Sequence, residues 1–170
     1  MHRYILGLIT ASGGGLTLTD LTELTDLPRY EVESALSSPL ARSLRTRTRV
    51  QDRVYLFGHE TLRDLAEDTL KDGLASCRDR LHTWAADYRE RGWPDSTPSY
   101  LLRGYPRLLQ ATGDIPRMLA LATDRHRHDR LLAATGTDAA ALTEITTTQT
   151  MILESRAWPH WQSLRPTVIG

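Results

Sequence analysis

Apolar residues recur at helical spacing along most of the chain and switch to strict alternation in one short stretch. Tyr4, Ile5, Leu8 and Ile9 predict a first amphipathic helix, which the cluster Ser12-Gly13-Gly14-Gly15 ends, because glycine tolerates positive φ. Leu21 and Leu24 belong to a second helix starting near Thr19 or Asp20, with Glu23 three residues after Asp20 as in a capping box. Leu27-Pro28 stops that helix, and Pro28 suits the first turn of a third one that turns Tyr30, Val32 and Leu36 inward. Leu44, Thr46, Thr48 and Val50 then alternate with Arg45, Arg47 and Arg49, the period of a strand with one polar face. Gln51-Asp52-Arg53 is predicted to turn, residues 54–57 to return as a strand, and Gly58 to break it. Leu62, Leu65, Ala66 and Leu70 resume the helical spacing to about residue 70.

Beyond Lys71 the pattern stays helical. Leu74, Cys77, Leu81, Trp84, Ala85 and Tyr88 share one face, and Gly92-Trp93-Pro94 with Ser96-Thr97-Pro98 ends that element. A further helix carries Tyr100, Leu101, Leu108 and Leu109, with Pro106 bending it or lying in its first turn. Thr112-Gly113-Asp114 before Ile115-Pro116 marks a stop and a start, Asp124 caps the next helix as far as Gly136, and Asp138 starts a last one. Three helices and a β-hairpin describe a winged helix. The predicted fold is therefore mainly α: a winged-helix domain with a small β-hairpin over residues 1–72, then an α-hairpin, TPR-like helical domain over 73–157. Residues 158–170, with Trp158 and Trp161, lack periodicity and are predicted to be an irregular tail.

Composition narrows the classes. The 170 residues carry 21 basic and 21 acidic side chains, so no global charge draws the chain to nucleic acid or membrane. One cysteine, Cys77, excludes an internal disulfide framework and CxxC patterns, which makes reducing cytoplasm the natural compartment. No run approaches the roughly 20 apolar residues that span a bilayer. The triple glycine lacks the spacing and the lysine of a phosphate loop. In His126-Arg127-His128-Asp129 the histidines fall on different faces of a helix and arginine repels a cation, so a solvated helix start is the expectation and no metal is assigned. Cys77 reads as a core residue, and no nucleophile, acid and base share a motif, so no catalytic residue and no enzymatic activity are expected.

Two features carry candidate chemistry. His59 sits where the returning strand meets a helix. Backbone amides and the positive end of the helix dipole suit that place to an anion and disfavour a protonated ring, although a histidine that simply caps or packs fits as well. The second feature is the hairpin, where Arg42, Arg45, Arg47, Arg49 and Arg53 stand against Asp52 alone, a net charge of +4 in twelve residues. Such a wing could lie along phosphates. It could equally face an acidic partner or be a solvated strand face, and Glu31 and Glu33 on the third helix oppose DNA.

The segment Leu56-Phe57-Gly58-His59-Glu60-Thr61-Leu62-Arg63-Asp64-Leu65-Ala66 resembles the hydrophobic-His-Asp signature that closes the winged helix of STAND-class signalling NTPases, the actinobacterial members in particular. Leu81-His82-Thr83-Trp84, Arg91-Gly92-Trp93-Pro94, Tyr100-Leu101-Leu102-Arg103-Gly104-Tyr105 and Ala111-Thr112-Gly113-Asp114 are similar to the helical segment that follows in those proteins. The resemblance covers residues 4–155 and implies a regulatory and interaction module. On it, His59 would read ATP or ADP held by a separate NTPase domain, of the same or a partner protein, and the helical part would relay the state to other protein partners. Glu60 replaces the usual Asp, and no Walker motif accompanies it, so the chain by itself would hold no cofactor. The alternative is a DNA-binding winged-helix transcription regulator using the third helix and the arginines.

Overall fold

The first helix, α1 (His2–Ala11), buries Ile5, Leu8, Ile9 and Ala11 at i, i+3 and i+4 spacing, whereas Tyr4, expected on the same stripe, is exposed at its edge. It stops because Gly13, Gly14 and Gly15 all take positive φ, of 71°, 86° and 95°. Glycine is required at Gly14 on a second count, since a Cβ there would stand 3.0 Å from Cβ of Leu56. This turn delivers the Gly15 amide to the Tyr55 carbonyl at 2.8 Å and starts the two-residue strand β1 (Leu16–Thr17). No periodicity announces so short a strand; it exists because β3 (Asp52–Phe57) offers a free edge. The computed structural model describes residues 2–37, 44–49 and 52–162.

Thr17 then caps α2 (Leu18–Thr25) in a reciprocal box with Asp20: the Asp20 amide donates to the Thr17 hydroxyl at 3.1 Å, and the Thr17 amide to the Asp20 carboxylate at 2.8 Å. The expected Asp20–Glu23 box is thus displaced by one turn. Glu23 instead accepts the Tyr88 hydroxyl at 3.1 Å. Arg80 closes the other end of α2, donating to the carbonyls of Leu24 and Glu23 and to Asp26, a cation where the helix dipole favours one. In α3 (Arg29–Leu36) Val32 and Ala35 are buried, but Tyr30, predicted inward, is 69% exposed. It lies two residues before Val32, and 200° of helical rotation puts it on the opposite face.

Strand β2 (Leu44–Arg49) pairs with β3 antiparallel, Leu44 opposite Phe57 and Arg49 opposite Asp52, and the sheet order is β1-β3-β2. Asp52 and Arg53 therefore belong to the strand rather than to the predicted turn, and residues 50–51 lie outside the described part. Among the described residues the chain is mainly helical, with this one three-stranded antiparallel sheet.

Helix α4 (Glu60–Glu90) runs unbroken for 31 residues, about 46 Å. The domain boundary expected at 72/73 falls inside it. Gly73, next to that boundary, sits in open space, where a helical glycine costs only about 1 kcal/mol. The six residues predicted to share a face, Leu74, Cys77, Leu81, Trp84, Ala85 and Tyr88, are all buried, against α1 and α2 among others. Trp84 stacks on Tyr100 at 6.2 Å between ring centroids and meets Tyr88 edge-on at 5.9 Å. The single helix expected next is two, α5 (Ser99–Arg103) and α6 (Tyr105–Thr112), with Pro106 in the first turn of α6. They part at Gly104, where a Cβ would fall 2.4 Å from the buried Tyr100 ring. That ring is fixed by its hydroxyl, which donates to the Ser12 carbonyl at 3.0 Å.

By its internal contacts the chain divides into two units, Met1–Leu108 and Leu109–Gly170. In the second, Asp114 caps α7 (Ile115–Ala122), Asp124 caps α8 (Arg125–Thr135), and Gly136 at φ 74° ends it, each as predicted. Helix α9 (Ala139–Gln162) continues past residue 157 into the stretch expected to be irregular. Hydrophobic period reports a buried face rather than helicity itself, so its loss there did not mark an end.

Candidate functional site

His59 is the N-cap residue of α4, its backbone extended at φ −142° and ψ 147°. Its carbonyl accepts the amides of Leu62 and Arg63 at 3.1 and 3.3 Å, so the main chain starts the helix. The ring makes no capping hydrogen bond and is exposed. Of the two readings of this histidine, side-chain capping is therefore not used; the imidazole makes no cap at a helix start where the Glu60 and Thr61 amides have no intrahelical acceptor. Glu60, in that first turn, is drawn back by Arg63, whose Nη2 lies 3.2 Å from its carboxylate.

The hairpin brings one arginine to this joint. Arg45 pairs with Leu56 across the strands, and its side chain crosses Gly58: a Cβ on Gly58 would meet Arg45 Nε at 2.9 Å and Cγ at 3.0 Å. The glycine before the histidine thus leaves the room that the Arg45 side chain occupies, two residues ahead of α4. An exposed imidazole, a cation and the positive end of a long helix dipole share one surface, a combination that can bind an oxyanion.

The other arginines separate. Arg47 opposes Val54, shares the Arg45 face of the sheet and is exposed, while Arg49 is the register partner of Asp52. Arg53 pairs with Thr48 and belongs to the opposite face, where it lines a groove of about 640 Å³ with Arg29, Glu33 and Tyr55. A pleated strand makes this split unavoidable, since 53 is an odd step from 54, the partner of Arg47. Arg42 lies outside the described residues. On α3, Arg29 Nε pairs with Glu33 at 3.0 Å, so the exposed face of that helix offers little free positive charge.

Two residues acquire roles that patterns did not show. Arg127, expected on a solvated helix start, is fully buried and binds Glu144 of α9 with both terminal nitrogens, Nη2 to Oε1 at 3.0 Å. Its neighbour Leu131, four residues on and equally buried, is the only sequence hint of an inward face there. Cys77 is buried against Gly7, and burial pushes its thiol above the ordinary range, with Arg78 pulling weakly the other way. A protonated, enclosed thiol is a poor nucleophile. No group of three His, Cys, Asp or Glu able to hold a metal occurs among the described residues. None of the described helices is long and apolar enough to cross a membrane.

The fold and site define a mainly helical protein with a small antiparallel sheet and an anion-compatible helix start. No family model matches the chain, and neither a curated protein nor a solved structure does.

Proposed function

We propose that the chain is a non-enzymatic regulatory and interaction module of a STAND-type signalling ATPase, in which His59 contacts the nucleotide held by a separate NTPase domain. The observation that carries this reading is the free, exposed imidazole at the N-terminus of α4, flanked by Arg45 across Gly58. On this reading the element order α1-β1-α2-α3-β2-β3-α4 is that of a winged helix, and the helices after α4 are α-hairpins that pass the nucleotide state to partners. A neutral ring donates one hydrogen bond to a phosphate oxygen, and Arg45 supplies the countercharge.

In the assembly of this chain with its NTPase domain, His59→Ala accelerates ADP release about tenfold, the worth of one hydrogen bond to a charged group. Stopped-flow displacement of a fluorescent ADP analogue measures it, and an unchanged release rate excludes the contact.

DNA binding is the rival, and the exposed Arg45 and Arg47 are its support. Arg53 lies on the other face and Arg29 is occupied by Glu33, so neither of these two cations adds to a phosphate contact on the Arg45 face. Gel shifts with random duplex at 50 and 200 mM salt are expected to show no retention. Salt-sensitive retention lost in an Arg45→Ala/Arg47→Ala variant would establish the rival instead.

A further inference from the structure

The first half of α4 leaves its apolar stripe uncovered. Leu62, Ala66 and Leu70 are only half buried and Leu65 is 62% exposed, while every fully buried residue of the helix lies at Leu74 or beyond. With Leu6 of α1 and Phe57 of β3 these residues line a hollow of about 310 Å³. A second hollow of about 240 Å³ shares Arg3, Thr69 and Leu70 with it and continues along α1 and α4 to Cys77. From Leu62 to Cys77 the groove follows α4 for about 22 Å, four turns of helix.

Charge distinguishes what fits. Over residues 60–72 helix α4 carries five carboxylates against Arg63 and Lys71, a net charge of −3. Arg63 engages Glu60, Asp64 and Glu67. Asp68 and Asp72 are exposed, form no ion pair among the described residues, and lie one turn apart along the Leu65 edge of the stripe. Across the groove Arg3 spends a donor on the Thr69 carbonyl at 3.2 Å. A second copy of the chain would bring like charges together along this edge.

We propose that this groove is a docking site for an amphipathic helix of a partner protein, about fifteen residues long, with leucine-type anchors at i, i+3 or i+4 and i+7 and with basic flanks. The anchors enter the hollows beside Leu65 and Leu70, and lysine or arginine on the flank pairs with Asp68 and Asp72. The inference stands apart from the nucleotide reading, because no residue of the groove is His59 or Arg45.

The test titrates the full chain against three labelled 18-residue peptides by fluorescence anisotropy: a Leu/Lys amphipathic helix, its Leu/Glu counterpart, and a scrambled Leu/Lys sequence of equal charge. The amphipathic basic peptide is expected to bind at least about tenfold more tightly than either control. Leu65→Lys abolishes that preference, Leu65→Ala weakens it in the same direction with the exposed helix intact, and Asp68→Asn/Asp72→Asn weakens it several-fold and flattens its salt dependence. His59→Ala leaves it unchanged. Equal binding of the scrambled or acidic peptide, indifference to both Leu65 variants, or dimerisation of the chain that Leu65→Lys abolishes overturns the proposal.

Discussion

Trp84→Ala lowers the unfolding free energy of the first unit by about 4 kcal/mol, as read by urea denaturation followed by circular dichroism. Trp84 is 2% exposed and joins three parts of that unit. It stacks on Tyr100, whose hydroxyl holds the Ser12 carbonyl of the glycine turn, and it meets Tyr88 edge-on, whose hydroxyl holds Glu23 of α2. Removing an indole from such a place forfeits roughly 200 Å² of buried apolar area and leaves a cavity bounded by two rings that are themselves tied down. The neighbours therefore cannot collapse to fill it. Trp84→Phe supplies the control. The indole N–H is buried with no hydrogen bond among the described residues, so phenylalanine removes an unsatisfied donor along with some volume, and the loss stays near 1 kcal/mol. A loss below 1 kcal/mol in the alanine variant would show that the rings at positions 88 and 100 are held independently of Trp84.

Glu144→Ala destabilises the second unit by about 3 to 5 kcal/mol, because it leaves the wholly buried Arg127 guanidinium without its paired carboxylate. The pair clips α8 to α9, and the Arg127 amide is already engaged with the Asp124 cap at 3.2 Å, so the arginine backbone cannot withdraw to bring the charge to water. Arg127→Met/Glu144→Leu is expected to restore most of the lost stability, since a packed apolar pair needs no desolvation of charge. Hydrogen exchange of the α8 and α9 amides separates the outcomes: both helices exchange faster in Glu144→Ala and return to the parent pattern in the double variant. Unaltered exchange in Glu144→Ala would mean that other contacts of Arg127 suffice to hold it.

The two effects differ in how far they could be foreseen. Trp84 belongs to a stripe of six apolar positions spaced at three and four, and burial of that stripe needed only the period of a helix. Arg127 lies in a segment whose composition is that of a solvated surface; its burial depends on a carboxylate 17 residues away on another helix. No local pattern encodes such a partner. The candidate site divides in the same manner. His59 at a strand-to-helix joint was legible from the break at Gly58 and the return of helical spacing. That Arg45, and not Arg53, reaches the joint was settled by strand register, which one residue of slip would invert.

Sequence alone determined the buried stripes of α1 and of the second half of α4, the caps at Asp114, Asp124 and Gly136, and the extended conformation of residues 44–49, all set by residues within a few positions of one another. Tertiary structure decided the rest. It made β1 from two residues that an existing strand edge could pair, moved the α2 cap to Thr17 and Asp20, carried α4 unbroken through Gly73, and divided the arginines between two faces of the sheet. In each of these cases the deciding partner lies elsewhere in the chain or the competing local signals differ by only about 1 kcal/mol, so long-range packing and pairing outweigh them.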